Sequence, residues 1–170
     1  MTSFLRKLFA GSSSTLGVSR SLLFNCKSHA SSEQWFTRGL VSSDFRSKHS
    51  MLVLHVWMIH KRLLGVRGKA GLRTQECLFD ELWEDTGMRI RQMGIPELSV
   101  NKYLGEVQGY SFKTCVELDE ACSKKREEEQ KEELAGALWR SVYNKRDEVD
   151  EATVLGESCN ETLPPIHPYF

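Results

Sequence analysis

Several building blocks of catalytic and membrane-spanning proteins are missing from this chain. No stretch reaches the roughly 20 apolar residues that a spanning helix needs. The most apolar run, Met51 to Ile59, is broken only by His55 and stops after nine residues at His60, Lys61 and Arg62. The five cysteines (Cys26, Cys77, Cys115, Cys122 and Cys159) are odd in number and contain no CxxC pair. That excludes a disulfide framework and a zinc site, and it fits a reducing compartment. Cys115 and Cys122, seven apart, read as two small core residues on one helical face. A Glu-x-x-His motif, which a di-metal helix bundle requires, occurs nowhere. GVRGKAG at 65–71 has the glycines of a phosphate loop but neither the GK[ST] ending nor a preceding strand. With no nucleophile–base spacing either, the sequence offers no catalytic residue, no metal ligand set and no cofactor site, and we read it as a non-enzyme.

What is present is a chain of 170 residues, 40% hydrophobic and 27% charged, which suits a single globular domain. Its net charge of zero conceals an asymmetry. Residues 1–75 carry 12 Lys and Arg against two acids, Glu33 and Asp44, whereas residues 76–170 carry 11 against 21. Opposed halves of this kind point to targeting or oriented docking.

Residues 1–43 hold eleven serines, five Lys or Arg and one acid, Glu33. Leu5, Leu8 and Phe9 share a helical face beside Arg6 and Lys7, and Arg20 precedes a second apolar cluster, Leu22 to Phe24. The composition is that of an organelle transit peptide with a mitochondrial bias, cleaved between Ser28 and Ser43. On this reading the segment lies outside the fold.

Residues 44–146 form the domain. Asp44 to Arg67 reads as a helix buried on most of its circumference. His55 and His60, five apart, diverge too far to chelate one metal and serve as core or rim residues. The glycines at 65, 68 and 71 end this helix. Leu78, Phe79, Leu82, Trp83, Ile90 and Met93 recur at i, i+3 and i+4 and mark a second helix, stopped by Gly94-Ile95-Pro96. Gly87, inside that stripe, anticipates close approach of another helix. Asp80, Glu81, Glu84 and Asp85 read as solvated or partner-facing carboxylates, with Asp85 placed to pair with Arg89 four residues on. Ser99 is read as the N-cap of a third helix, whose stripe runs through Val100, Tyr103, Leu104, Val107, Ser111, Cys115, Leu118 and Cys122. Gly105 and Gly109 within it are spaced for tight helix packing. Ser123 to Glu133 is a charged entry to a fourth helix bearing Leu134, Leu138, Trp139 and Val142. Residues 147–170 are acidic and contain three of the four prolines, which reads as a disordered tail. The expected fold is thus all-α, a small bundle of about four helices with disordered termini.

HVWMIHKRLL at 55–64, LFDELWEDTGMRIRQMGI at 78–95, LSVNKYLGEVQGYSF at 98–112 and LAGALWR at 134–140, in this order and spacing, resemble the ubiquinol–cytochrome c chaperone family. The resemblance spans residues 55–140 and rests on Trp57, Trp83 and Trp139 with the Trp-Glu-Asp and Leu-Trp-Arg triplets. It departs from the family in two places. Less helical sequence is expected ahead of the His-Val-Trp block, and the passage Glu117-Leu118-Asp119-Glu120 replaces a more aromatic one.

The resemblance implies a mitochondrial matrix protein, associated with the inner membrane, that assists complex III (ubiquinol–cytochrome c reductase) assembly by holding newly synthesised cytochrome b. It further implies a small helical assembly-factor partner and contact with the mitochondrial ribosome, with no role on DNA. A second reading, drawn from the basic segment 61–73, is a ribosome- or RNA-associated translation adaptor, although no aromatics are interleaved with the charge to stack bases. Candidate contact residues are Trp57, His60, Lys61, Arg62, Asp85, Arg89, Arg91 and Arg140. The expected core comprises Leu54, Trp57, Leu82, Trp83, Ile90, Leu104, Val107, Leu138 and Trp139.

Overall fold

In the computed structural model the described residues are 2–66 and 68–144, with side chains described from Thr15 onward. They form five long helices and one five-residue helix: α1 (Thr2–Ala30), α2 (Glu33–Thr37), α3 (Phe45–Leu64), α4 (Lys69–Gln92), α5 (Glu97–Cys122) and α6 (Glu127–Ser141). The bundle is all-α, as expected. The four anticipated helices are α3 to α6, and α1 and α2 come in addition.

The added helices correct the expectation that residues 1–43 stay outside the fold. α1 packs chiefly against α4 and then against α3. Ser19, Leu23, Cys26 and Ala30 are all buried, at spacings of four, three and four that keep them on one face. Val41 is buried with them, and Tyr143 Oη donates to the Gly39 carbonyl at 2.8 Å, tying the α2–α3 connection to the far end of α6. Small and polar residues make this stripe, so its hydropathy period is faint beside its basic, serine-rich composition. The close turn around Gly39 is glycine-dependent. A Cβ there would stand 2.6 Å from the Trp35 carbonyl oxygen.

α3 is the axis of the bundle and touches α1, α4 and α5. Asp44 caps it by accepting from Ser47 N at 2.8 Å, which satisfies one of the first-turn amides. Met51, Leu52, Val53, Val56 and Trp57 are buried. Leu52 and Val56 meet Leu78 and Leu82 of α4 together with Leu23 and Cys26 of α1 in one cluster. Trp57 joins Leu118 and Ala137 in a second, under α5 and α6, and Ile90, Val100 and Val107 form a third between α4 and α5. Fully burying a Leu, Ile or Val side chain is worth about 1.5–3 kcal/mol. These clusters are therefore the main stabilising element.

Three local expectations are corrected. α5 begins at Glu97 behind Pro96, so Ser99 lies in its first turn, where its amide bonds the Pro96 carbonyl at 2.8 Å. Proline at that boundary loses no intrahelical donor, which lets the helix start three residues early. Gly105 and Gly109 face open space, because α5 turns this side away from its neighbours. Gly87 is covered by the guanidinium of Arg91 on its own helix, 3.3 Å from where a Cβ would stand, instead of by another helix. The charge run divides at Arg126. Glu127 to Glu129 occupy the first turn of α6, where acids complement the helix dipole. The tail 147–170 lies outside the described residues.

Candidate functional site

A concavity of about 830 Å³ opens between α1, α2 and α3, with Arg89 of α4 at its back. Leu52, Ala30 and Phe36 supply apolar lining, and Phe24 stands at its edge 71% exposed. Lys27, Lys48 and Arg89 are its cations and Glu33 its acid. An exposed phenylalanine beside an apolar floor is what a helix-binding groove requires. The basic lining favours a ligand with negative charge near its apolar anchor.

Behind the cleft runs a buried polar brace. Asp85, 7% exposed, accepts from Lys27 Nζ of α1 and, at 2.9 Å, from Arg89 Nε of its own helix. Arg89 Nη2 then donates to Thr86 Oγ1 at 3.1 Å and to His49 Nδ1 at 2.9 Å. His49 Nε2 meets Ser111 Oγ at 3.1 Å, and Ser111 Oγ donates onward to the Val107 carbonyl at 2.6 Å. Since Arg89 can only donate, His49 must be neutral with its proton on Nε2. Burial, and secondarily the Arg89 charge, push the His49 pKa down to about 3. Rings complete the enclosure: Phe45 stacks on His49 at 5.9 Å, Tyr110 presents an edge at 5.9 Å, and Trp83 lies at 6.4 Å. One chain of donors and acceptors thus links α1, α3, α4 and α5. Nothing in the local sequence around Lys48-His49-Ser50 distinguishes this histidine from a surface one. The brace escaped the sequence reading for that reason.

The candidate contact residues do not converge on one place. Asp85 and Arg89 belong to the brace, so Asp85 is no solvated carboxylate: two cations from two helices cover it. Trp57, Lys61 and His60 gather instead around Asp119, which accepts from Trp57 Nε1 and from Lys61 Nζ, each at 2.9 Å. Those bonds hold the Asp119 carboxyl below its usual range against the opposing effect of burial, and the nearby Asp119 charge partly offsets the lowering of His60 by burial. The acidic passage that departs from the family pattern is therefore the anchor of the α3–α5 contact. Arg91 pairs with Glu97 at 2.8 Å on the surface, Arg62 is exposed at the end of α3, and Arg140 bonds Glu117 at 2.9 Å between α5 and α6. His55 is a rim residue, its Nδ1 bonded to the Met51 carbonyl at 2.8 Å and its ring stacked on His29.

Of the expected core, Trp57, Leu82, Ile90 and Val107 are buried, while Leu54, Trp83, Leu104 and Leu138 are half-buried. Trp139 is 37% exposed and stacks on Tyr143 at 5.8 Å, so it is a surface residue. Position 139 is two residues from both Ala137 and Ser141, which turns it about 160° from the buried face they define. Among the described residues no three or more His, Cys, Asp or Glu are arranged to hold a metal, and no helix is long and apolar enough to cross a membrane.

Comparison with known proteins decides the family. The ubiquinol-cytochrome C chaperone family matches residues 40–159, most of the chain. The protein belongs to that family. A crystal structure of the Cbp3 homolog from Brucella abortus shares the fold with a TM-score of 0.64 at 18% identity, covering 90% of this chain and 80% of that one. Ninety per cent is more than everything after Ser43, so the common fold takes in part of the N-terminal segment. Helical sequence ahead of the His-Val-Trp block is thus present in this chaperone-family chain, as α1. No curated protein matches the chain.

Proposed function

We propose that this ubiquinol-cytochrome C chaperone family member is a non-enzymatic assembly chaperone for mitochondrial complex III that holds newly made cytochrome b in the cleft between α1, α2 and α3. The single observation that carries the choice of surface is an apolar floor beside a 71% exposed Phe24 on a chain of this family. A nascent membrane segment must keep its apolar face covered before insertion, and a groove with apolar lining and a cationic rim does that without chemistry. On this reading the protein works in the mitochondrial matrix beside the inner membrane with a small helical partner. Residues 1–43 then serve both as address and as packing element, with any cleavage falling ahead of the buried Ser19–Ala30 face.

The test is a tagged pulldown from gently solubilised mitochondria, scored for newly labelled cytochrome b. Wild type recovers it, and Phe24→Glu, at a solvent-exposed position, stays folded and recovers at least tenfold less. Absence of cytochrome b from the wild-type pulldown, together with intact complex III after depletion, refutes the reading.

A second reading, contact with the mitochondrial ribosome, draws on the α3–α4 connection. Arg62, Lys69 and Arg73 are exposed there beside exposed Leu64, Val66 and Leu72. The side chain of Arg67 lies outside the described residues. Charge reversal at Lys69 and Arg73 lowers ribosome co-sedimentation if this surface is used.

A further inference from the structure

A second, smaller pocket of about 310 Å³ lies between α3, α5 and α6, on residues the cleft does not use. Arg46, Lys113 and Arg140 bring three cations to it and Glu117 one carboxylate. Glu117 is already engaged: Oε2 accepts from Arg140 Nε at 2.9 Å, and Oε1 stands 3.9 Å from Lys113 Nζ. The hydroxyls of Thr114 and Ser141 are turned to carbonyls of their own helices, Tyr110 O at 2.9 Å and Ala137 O at 2.8 Å. Two donors at the pocket are left over. Arg46 Nε and Tyr110 Oη are both buried without a hydrogen-bond partner.

Leaving two donors buried and unmet is costly, and native proteins seldom tolerate it without reason. The pair is also held ready. The Arg46 guanidinium lies over the Tyr110 ring, 5.0 Å from its centre, a cation–π contact that holds the two side chains together. Burial drives the Tyr110 phenol well above its ordinary pKa, so it remains a donor throughout the working pH range. Donors without acceptors, and cations in excess of carboxylates, call for an acceptor-only anion. The volume of about 310 Å³ suits a tetrahedral oxyanion with a short organic stub.

We propose that the pocket formed by Arg46, Tyr110, Lys113 and Arg140 binds a compact phosphate group, which takes the Arg46 Nε–H and the Tyr110 O–H as its two buried hydrogen bonds. This site is separate from the cleft and independent of the function proposed for it. Its ligand sits across the α3–α5–α6 junction and braces it, so occupancy raises the melting temperature.

The experiment titrates inorganic phosphate, and in a second arm sn-glycerol 3-phosphate, into the full chain at ionic strength matched with chloride. Calorimetry and thermal melting are the readouts. Saturable binding near one per chain, with a rise in melting temperature that chloride does not reproduce, is expected. Tighter binding of glycerol phosphate identifies a phosphomonoester as the ligand, and equal binding identifies the bare ion. Losing one buried hydrogen bond to a charged ligand weakens binding at least tenfold, so Arg46→Gln and Tyr110→Phe each do so. Should Arg46→Gln fail to fold by circular dichroism, Lys113→Gln, at a 74% exposed side chain, is substituted and weakens binding two- to threefold. Non-saturable heats, or a folded Arg46→Gln or Tyr110→Phe that binds as wild type does, overturn the proposal.

Discussion

His49 makes the stability of this bundle fall as the solution is acidified, starting above the range of carboxylate titration. In the folded chain its ring is 0% exposed, accepts from Arg89 at 2.9 Å and has its pKa lowered from 6.5 to about 3. In the unfolded chain it returns to about 6.5. The unfolded state therefore binds the proton first. The His49 contribution is complete above pH 6.5 and declines as pH falls toward 3, by about 1.4 kcal/mol per unit. Between pH 7 and pH 5 the loss amounts to about 2 kcal/mol, a large share of the roughly 5–15 kcal/mol that holds a domain of this size.

Urea unfolding at both pH values, followed by circular dichroism, measures it. His60, also lowered by burial, acts in the same direction, so the informative quantity is the difference between wild type and His49→Gln. The variant starts less stable at pH 7, because Arg89 and Ser111 lose their partner, yet it loses about 2 kcal/mol less on going to pH 5. The lowered Asp119 and Glu97 carboxyls titrate beneath this window and do not blur it. If His49→Gln falls as steeply as wild type, the histidine is not the neutral, buried acceptor described here.

Three further outcomes follow from packing. Leu82→Ala, at a fully buried position in the α1–α3–α4 cluster, destabilises by about 2–5 kcal/mol in denaturant titration. Gly105→Ala and Gly109→Ala have open space around the new methyl and each raise stability by up to about 1 kcal/mol, read as an upward shift in melting temperature. Trp57→Phe removes the indole donor to Asp119 and costs about 1–3 kcal/mol in the same measurement.

α3 to α6 were legible because each carries a stripe at helical period, and Leu82, Ile90 and Val107 lie at its centre. Trp139 misled because an aromatic next to a stripe counts toward it in a linear reading, while one residue of rotation takes it to the surface. α1 was hidden for a different reason. Ser19, Cys26 and Ala30 bury well against α4 but contribute little hydropathy, and the serine-rich, basic composition around them reads as an address. The cleft shares this obscurity, since α1 and α2 form one wall of it.

The sequence by itself determined that α3 to α6 exist, the apolar stripe that runs along each, and the family whose blocks they carry. Those properties are local, set by side chains three and four positions apart on one cylinder. Only the tertiary structure decided what meets across helices. Asp85 takes Lys27 from 58 positions away, His49 receives Arg89 from 40, and Asp119 holds Trp57 from 62. Such pairings depend on the rotation and axial offset of one helix against another. Hydrophobic period leaves both free, and it is the close packing of the assembled core that selects them.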